Sequence, residues 1–516
     1  MKRQLLAAAL SGLAAALSGL AAALSGTQRA VLGCSRVAAL SWVLFLGLPG
    51  LPAQADEDPD DLMGGFDDEF DVSSLDDLEE EMPAWLAALP YSDVLYERVD
   101  LSGSVAAGTS YSYLDHKVPH GDQAGRSSSF GNLTRLDLDF FLQLDVMLPG
   151  GWLIRAEGLG WYDFMYHLKG RGDYGGEVID VYEWQADTGE VYLSGPLGEN
   201  LDITVGRKIV NWGRSDTFRV VDVINPLDHK EPGLVDIEDL RRPKAMIKLD
   251  AVSGPWSGQL LVIPESRYDR LPPRGSDFHP SIPAAFSRIP IHGRSDFDGT
   301  PGLAGKFDGR FSGWDFSLYG AYVDESRRVV DFELATGFRA ESNRYGLVGA
   351  AGNITRGAWL VKAEVAWLTG LRILRVRPGS PAVPPVSDDK DRIDTMVGVE
   401  YYGRDSLNIA LEVVNRSLLN YPGQPGVEDL TEQSTFETAL RISRPFFRER
   451  LDVTALAIVI GERAQDGATL RLSGDYELTD DWKTEGGILI FIGGPDRGIG
   501  AFDSNDRLFA EIKYSF

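Results

Sequence analysis

The sequence predicts an all-β protein, a transmembrane antiparallel barrel of the outer-membrane kind with about 18 strands and one loop folded inward. Three observations lead there. Apolar side chains recur at every second position over much of residues 91–516, tight connections alternate with long ones, and the chain ends on an alternating strand. Helical membrane bundles are excluded, because outside the N-terminus no apolar run approaches the roughly 18 residues that a spanning helix needs. The 57 glycines among 516 residues exceed the usual share of about 7%, which fits turns and strands.

Composition narrows function as well. A formal charge of −27 argues against nucleic acid as a partner, since phosphate binding needs a basic face. One cysteine and six histidines leave little for a disulfide framework or a zinc site, and neither a metal nor a cofactor is expected.

Residues 1–55 read as an export signal with a low-complexity insert. Met1-Lys2-Arg3 precedes three near-copies of Leu-Ala-Ala-Ala-Leu-Ser-Gly that end at Gly26. A basic stretch with Arg29 and Arg36 then precedes an apolar core from Val37 to Leu48, and Ala53-Gln54-Ala55 supplies the small residues of a cleavage site before Asp56. Residues 56–90 form a different zone, with 14 acidic side chains and no basic one. Such a block repels itself and buries too little apolar surface to fold alone, so it is expected to be a solvated periplasmic tail. It serves either as a spacer or as a docking element, with Leu62, Met63, Phe66 and Phe70 as the apolar anchors for a partner such as an export complex.

From residue 91 onward the period is two. Leu136, Leu138, Phe140, Leu142, Leu144 and Val146 are apolar, whereas Arg135, Asp137, Asp139 and Asp145 lie between them. One face suits lipid and the other water. A soluble sandwich alternates too, so the connections decide. Gly150-Gly151, Gly198-Glu199-Asn200, Ser312-Gly313, Arg356-Gly357, Gly403-Arg404-Asp405 and Thr479-Asp480-Asp481 mark tight turns, and the links between them often run to 15 or more residues. This is the turn and loop asymmetry of outer-membrane barrels. Trp152, Trp161, Trp314, Trp359, Trp367 and Trp482 sit near strand ends, where an interfacial girdle would place them. Ile512, Tyr514 and Phe516 form the C-terminal signal that the barrel assembly machinery reads.

The expected strands are 96–113, 132–147, 152–165, 187–196, 200–209 and 243–252, then 257–264, 300–310, 314–324, 342–354, 358–371 and 391–403. The last six are 407–419, 435–446, 450–462, 466–479, 483–493 and 506–516. The count is 18, with 16 as the alternative, and an even number places both termini on the periplasmic side of a Gram-negative outer membrane. A barrel this wide cannot fill itself with side chains and encloses an aqueous lumen.

Residues 208–242 are the segment expected to constrict that lumen. Trp212, Phe218, Val220, Val221, Val223 and Ile224 alternate there with charges of both signs, an apolar content that a loop waving in solvent does not need. The expected lumenal residues are Arg207, Trp212, Arg214, Asp216, Arg219, Asp222, Asn225, Asp228, Arg241 and Arg242. The arginines among them are expected to pair with wall carboxylates such as Asp137, Asp139 and Asp145. Whether these ions only hold the loop or also set selectivity stays open at this level.

Gly206-Arg207, Trp212-Gly213, Asn225-Pro226 with Asp228, and Arg241-Arg242-Pro243 resemble the landmarks of a large Gram-negative outer-membrane family catalogued as a domain of unknown function. Its members are often found beside RND-type exporters or in bacteria that use steroids and hydrocarbons. The resemblance implies a porin-like protein linked to movement of hydrophobic or lipid-like compounds, and implies no chemistry.

Enzyme activity is not expected. His116, His120, His167, His229, His279 and His292 fall in expected loops without a nucleophile motif, and no Gly-rich phosphate loop, haem attachment or EF-hand occurs. Three functions remain. They are a channel for small, hydrophobic or amphipathic solutes, an accessory partner of an RND-type exporter docked through the acidic tail, and a sheath around an electron conduit. The four cations of residues 1–55 leave −31 on the mature chain, and removing the 14 acidic groups of residues 56–90 leaves −17 on the rest. A lumen of that sign is expected to favour cations.

Overall fold

A computed structural model describes residues 98–120, 125–235, 239–279, 291–294, 299–327, 329–333, 337–376, 386–421, 428–429, 432–494 and 498–516. All of them belong to one unit, Val94–Phe516. The expected signal peptide, acidic tail and its apolar anchors lie outside the described residues.

Eighteen antiparallel strands close into a barrel. In chain order they are β1 (Val99–Ser112), β2 (Asn132–Leu148), β3 (Trp152–Asp163), β4 (Trp184–Pro196), β5 (Leu201–Lys208) and β6 (Lys244–Ser253). Then come β7 (Trp256–Ile263), β8 (Gly302–Phe311), β9 (Trp314–Asp324), β10 (Arg344–Arg356), β11 (Trp359–Val376) and β12 (Val386–Tyr402). The circuit ends with β13 (Asn408–Leu418), β14 (Ser434–Phe446), β15 (Leu451–Ile460), β16 (Ala468–Glu477), β17 (Trp482–Ile492) and β18 (Arg507–Ser515). Each strand pairs with its sequence neighbour, and β1 pairs with β18 from Ser104↔Ser515 to Ser112↔Arg507. Closure leaves no edge, which is what a β-structure in hydrocarbon requires. Residues 428–429 add a two-residue bridge to the extension of β11 and are not part of the cylinder.

The strands lie where period two places them, with one difference at the β11–β12 hairpin. Gly370 (φ +82°) sits at a bulge between Leu368 and Leu371, beyond which pairing resumes as far as Arg375↔Val386. A glycine that reads as a strand end is here a kink within a hairpin that extends past the rim.

Register parity sorts the side chains. Leu142, Val348, Val361, Val365, Val397 and Leu411 point outward and are exposed, whereas Asp137, Asp145, Lys362, Glu364, Asp394, Glu400 and Glu412 point inward and are buried. Trp152, Trp256, Trp314, Trp359 and Trp482 follow directly on tight turns and form the girdle at that end. Trp161 departs from the expectation. It pairs in register with the inward Asp139, so it faces the lumen. Position near a strand end does not set the face; parity does. Both barrel termini lie at the tight-turn end, where Phe516 and Gly103 exchange backbone hydrogen bonds of 2.9 and 3.0 Å. Ile512 and Tyr514 share the outward parity of Leu508 on β18, and Phe516 is exposed.

The outward row can be tested by charge. Val365→Arg puts a cation near the middle of the apolar band and is expected to destabilise the folded barrel by about 2–4 kcal/mol. Denaturant titration in lipid, followed by the heat-modifiable gel shift, would measure the loss.

Candidate functional site

The connection from β5 to β6, residues 209–243, folds as two lobes joined at a neck, and Asn225 is the neck. Its Oδ1 accepts a hydrogen bond from the Val210 N–H (2.8 Å), and its Nδ2 donates to the carbonyls of Lys208 (3.2 Å) and Arg242 (2.9 Å). One fully buried amide thus ties the entry, middle and exit of the loop together. The Arg242 N–H donates to the Pro226 carbonyl (2.8 Å), and Leu227 bridges Arg241. Residues 209–225 are therefore a closed first lobe, and residues 227–235 with 239–241 belong to a second.

The first lobe enters the lumen because the wall has an apolar strip waiting for it. Val210, Trp212, Val220, Val221 and Ile224 pack on Leu261, Ile263, Tyr319, Val323, Leu347, Leu368, Met396 and Val414 from β7 to β13. Burying each large loop side chain is worth about 1.5–3 kcal/mol, so apolar contact supplies the driving force. Trp212 adds polar direction: its Nε1 donates to Gln259 Oε1 at 2.8 Å and its ring lies 5.3 Å from that of Tyr319.

Charge then fixes the tip. Gly213 (φ +93°) turns the chain so that successive N–H groups face the wall, and a Cβ there would meet Glu364 Oε1 at 3.0 Å. Glu364 accepts from the N–H groups of Arg214 and Ser215. Glu412 accepts from the N–H groups of Asp216 (3.0 Å) and Thr217 (3.2 Å) and from Ser215 Oγ (2.6 Å). Between these carboxylates stands Lys362 on β11, its side chain 2% exposed. Its Nζ lies 2.7 Å from Asp216, 2.6 Å from Glu400 and 2.7 Å from Glu412. A buried ammonium is tolerable only when so surrounded. Asp216, with a side chain 45% exposed, is the member that also reaches the open lumen. Burial pushes its carboxyl above the usual range against the opposing pull of Lys362. Arg214 reaches Asp315 and Ser317 on β9. Asp315, Lys362, Glu400 and Glu412 lie within a few residues of the tight-turn ends of their strands, so the tip penetrates most of the barrel height.

The second lobe turns the other way. Leu234 packs with Leu489 and Phe491 of β17, and Tyr182 Oη donates to the Lys230 carbonyl at 2.7 Å. Lys230 Nζ lies 3.7 Å from the Trp161 ring, and burial lowers this lysine to about 8. Arg242 is pushed down to about 10 by burial and by its neighbours Arg270 and Arg267. The start of the β7–β8 connection lies along the second lobe, where the His229 and Arg270 N–H groups donate to the Arg270 and Leu227 carbonyls. Arg270 binds Asp228 (2.9 Å) and Asp187 (3.1 Å), and Asp277 binds Arg507 of β18 (2.8 Å) and His116 (2.7 Å).

The expected site residues thus divide. Trp212, Arg214 and Asp216 sit on the tip-bearing lobe against the wall. Arg219 (to Asp222, 3.2 Å), Asp222 (to Arg241, 3.0 Å), Asn225 and Arg241 hold the loop to itself. Asp228 and Arg242 join the second lobe to residues 268–270 and Asp187. Arg207 lies elsewhere: it shares the parity of the exposed Val191 and pairs with Glu265 at the long-loop rim, 2.6 Å away. The expected partners differ too. Asp137 and Asp139 pair with Arg135, and Asp145 with Arg155 near the tight-turn end, so none of them takes a loop arginine. The loop cations instead find Asp315, Asp222 and Asp187. Lys362, Glu364, Glu400 and Glu412 are not among the expected site residues, although charged residues at inward parity are the signal that marks them. Among the described residues no group of three or more side chains has the makings of a metal site.

Two outcomes test this geometry. Lys362→Met strands three carboxylates and is expected to cost about 3–5 kcal/mol of tip docking. A Thr217→Cys label site, in a chain whose one other cysteine is Cys34, would then react with maleimide much faster than in the parent. Lys230 bears on pH. Because its folded value lies below the ordinary value of about 10.4, the unfolded chain holds the extra proton between roughly pH 8 and 10, and stability gains a rising increment over that window. Lys230→Met is expected to remove that increment from a melting-temperature profile.

Among solved structures, Pseudomonas aeruginosa OccK2 (OpdF) in complex with glucuronate matches at 11% identity and a TM-score of 0.45, covering 81% of this chain and 96% of that one. Acinetobacter baumannii OccAB1 matches at 10% identity and 0.45, covering 81% and 96%. Salmonella typhi OmpF in complex with daunomycin matches at 12% identity and 0.38, covering 81% and 97%. Comparison with curated proteins gives no match. The family model described as "Protein of unknown function (DUF1302)" matches residues 5–516, and this chain, an 18-stranded β-barrel with a lumenal two-lobed loop, belongs to that family.

Proposed function

We propose that the protein is a porin-like channel of a Gram-negative outer membrane that passes small solutes, hydrophobic or amphipathic ones included, through a lumen constricted by residues 209–225. The observation that carries this reading is the anchoring of the loop tip. A segment that merely filled space would need only its apolar contacts, whereas this one is also held to Lys362 through Asp216, beside the wall carboxylates Glu400 and Glu412, and by wall acceptors for its backbone N–H groups. Such preorganisation fixes an aperture. Tight turns and both barrel termini share one end, and we assign that end to the periplasm, which puts the acidic segment of residues 56–90 there as well.

The sign of the barrel charge and the partly exposed Asp216 at the tip favour cations. In planar bilayers the full mature chain is expected to give discrete conductance with a cation-preferring reversal potential. Asp216→Asn should lower that preference, and deletion of residues 211–222 should raise conductance. Anion preference in the parent, or equal conductance after the deletion, would overturn the reading.

A further inference from the structure

Lys230 occupies an unusual position for a lysine. Its ammonium lies 3.7 Å from the Trp161 ring centroid and 6.0 Å from that of Tyr182, in a cavity of about 210 Å³ between the second lobe and the β2–β3 wall. Its ion pair with Asp228, at 3.8 Å, is beyond hydrogen-bond reach. Six carboxylates and two cations line the cavity, so acidic groups remain in excess with Lys230 in place. One of them, Asp137, is only 6% exposed, and its Oδ1 has no hydrogen-bond partner.

These features define a preference. A primary ammonium carries three N–H donors, and this position offers it an aromatic face and a distant carboxylate. A quaternary ammonium has no N–H donors to satisfy, is weakly hydrated, and gains from ring faces backed by negative charge. We propose that the Trp161–Tyr182 cavity is a binding site for small quaternary ammonium groups, and that Lys230 is its tethered occupant, displaced when such a cation enters. The site lies at the long-loop end, on the opposite side of the neck from the tip, which makes quaternary amines candidate solutes; that last step rests on the channel reading, whereas the binding does not.

The test is equilibrium binding of tetramethylammonium chloride to the full mature chain in detergent, at constant ionic strength against sodium chloride, read by calorimetry and by saturation transfer to the methyl protons. Lys230→Met removes the internal competitor and is expected to tighten binding severalfold. Trp161→Leu is expected to weaken it by about tenfold. Heat-modifiable migration checks that each variant is folded. Absence of saturable binding to Lys230→Met, or equal affinity in Trp161→Leu, overturns the proposal. No current is needed, so a protein silent in bilayers that still binds would refute the channel and leave the site standing.

Discussion

An 18-stranded cylinder has more interior than its wall can fill, and everything distinctive about this protein answers that constraint. The inner faces of β7 to β13 are not uniformly polar. They carry Leu261, Ile263, Tyr319, Val323, Leu347, Leu368, Met396 and Val414, a strip that would cost free energy if left against water. The first lobe of the β5–β6 loop covers it. Apolar burial thus supplies affinity without direction, and the carboxylates around Lys362 supply direction at the far end of the same lobe. The two kinds of contact are separated along the loop, one at its flank and the other at its tip.

The landmarks that resemble the family acquire a physical meaning from the neck. Asn225 and Pro226 meet Arg242 where the two lobes part, and Arg241 closes on Asp222 from the other side. Gly206, at φ +140°, packs so tightly on Tyr192 that a Cβ would lie 2.3 Å from the Val191 carbonyl oxygen. Gly206, Asn225-Pro226 and Arg241-Arg242 therefore describe one small knot of backbone, the point at which a strand stops being wall and becomes filling, whereas Trp212-Gly213 belongs to the tip-bearing lobe.

How much of this the amino-acid order discloses depends on the range of the interaction. Outward rows such as Leu138, Phe140 and Leu142 are set by pleating within a single strand, and they are readable. The inward loop is readable from its apolar content, because local composition carries that signal. Partners are not readable. Arg214 and Asp315, or Asp216 and Lys362, are more than 100 residues apart, and only closure of the cylinder brings them together. Trp161 is the opposite case: nearness to a strand end suggests an interface, and a single step of parity reverses its face. Where inner positions are themselves apolar, as at Leu456, Ile458 and Ile460, the alternation blurs and reveals nothing about which side meets water.

The neck has one more implication. Because a single buried amide closes the first lobe on itself, the residues beyond it form a cassette whose ends stay together whatever its length. Insertions or deletions at the tip can change how much of the lumen the lobe fills while strand number and pairing remain untouched, so the filling of the cylinder can be altered by a dozen residues without rebuilding its wall.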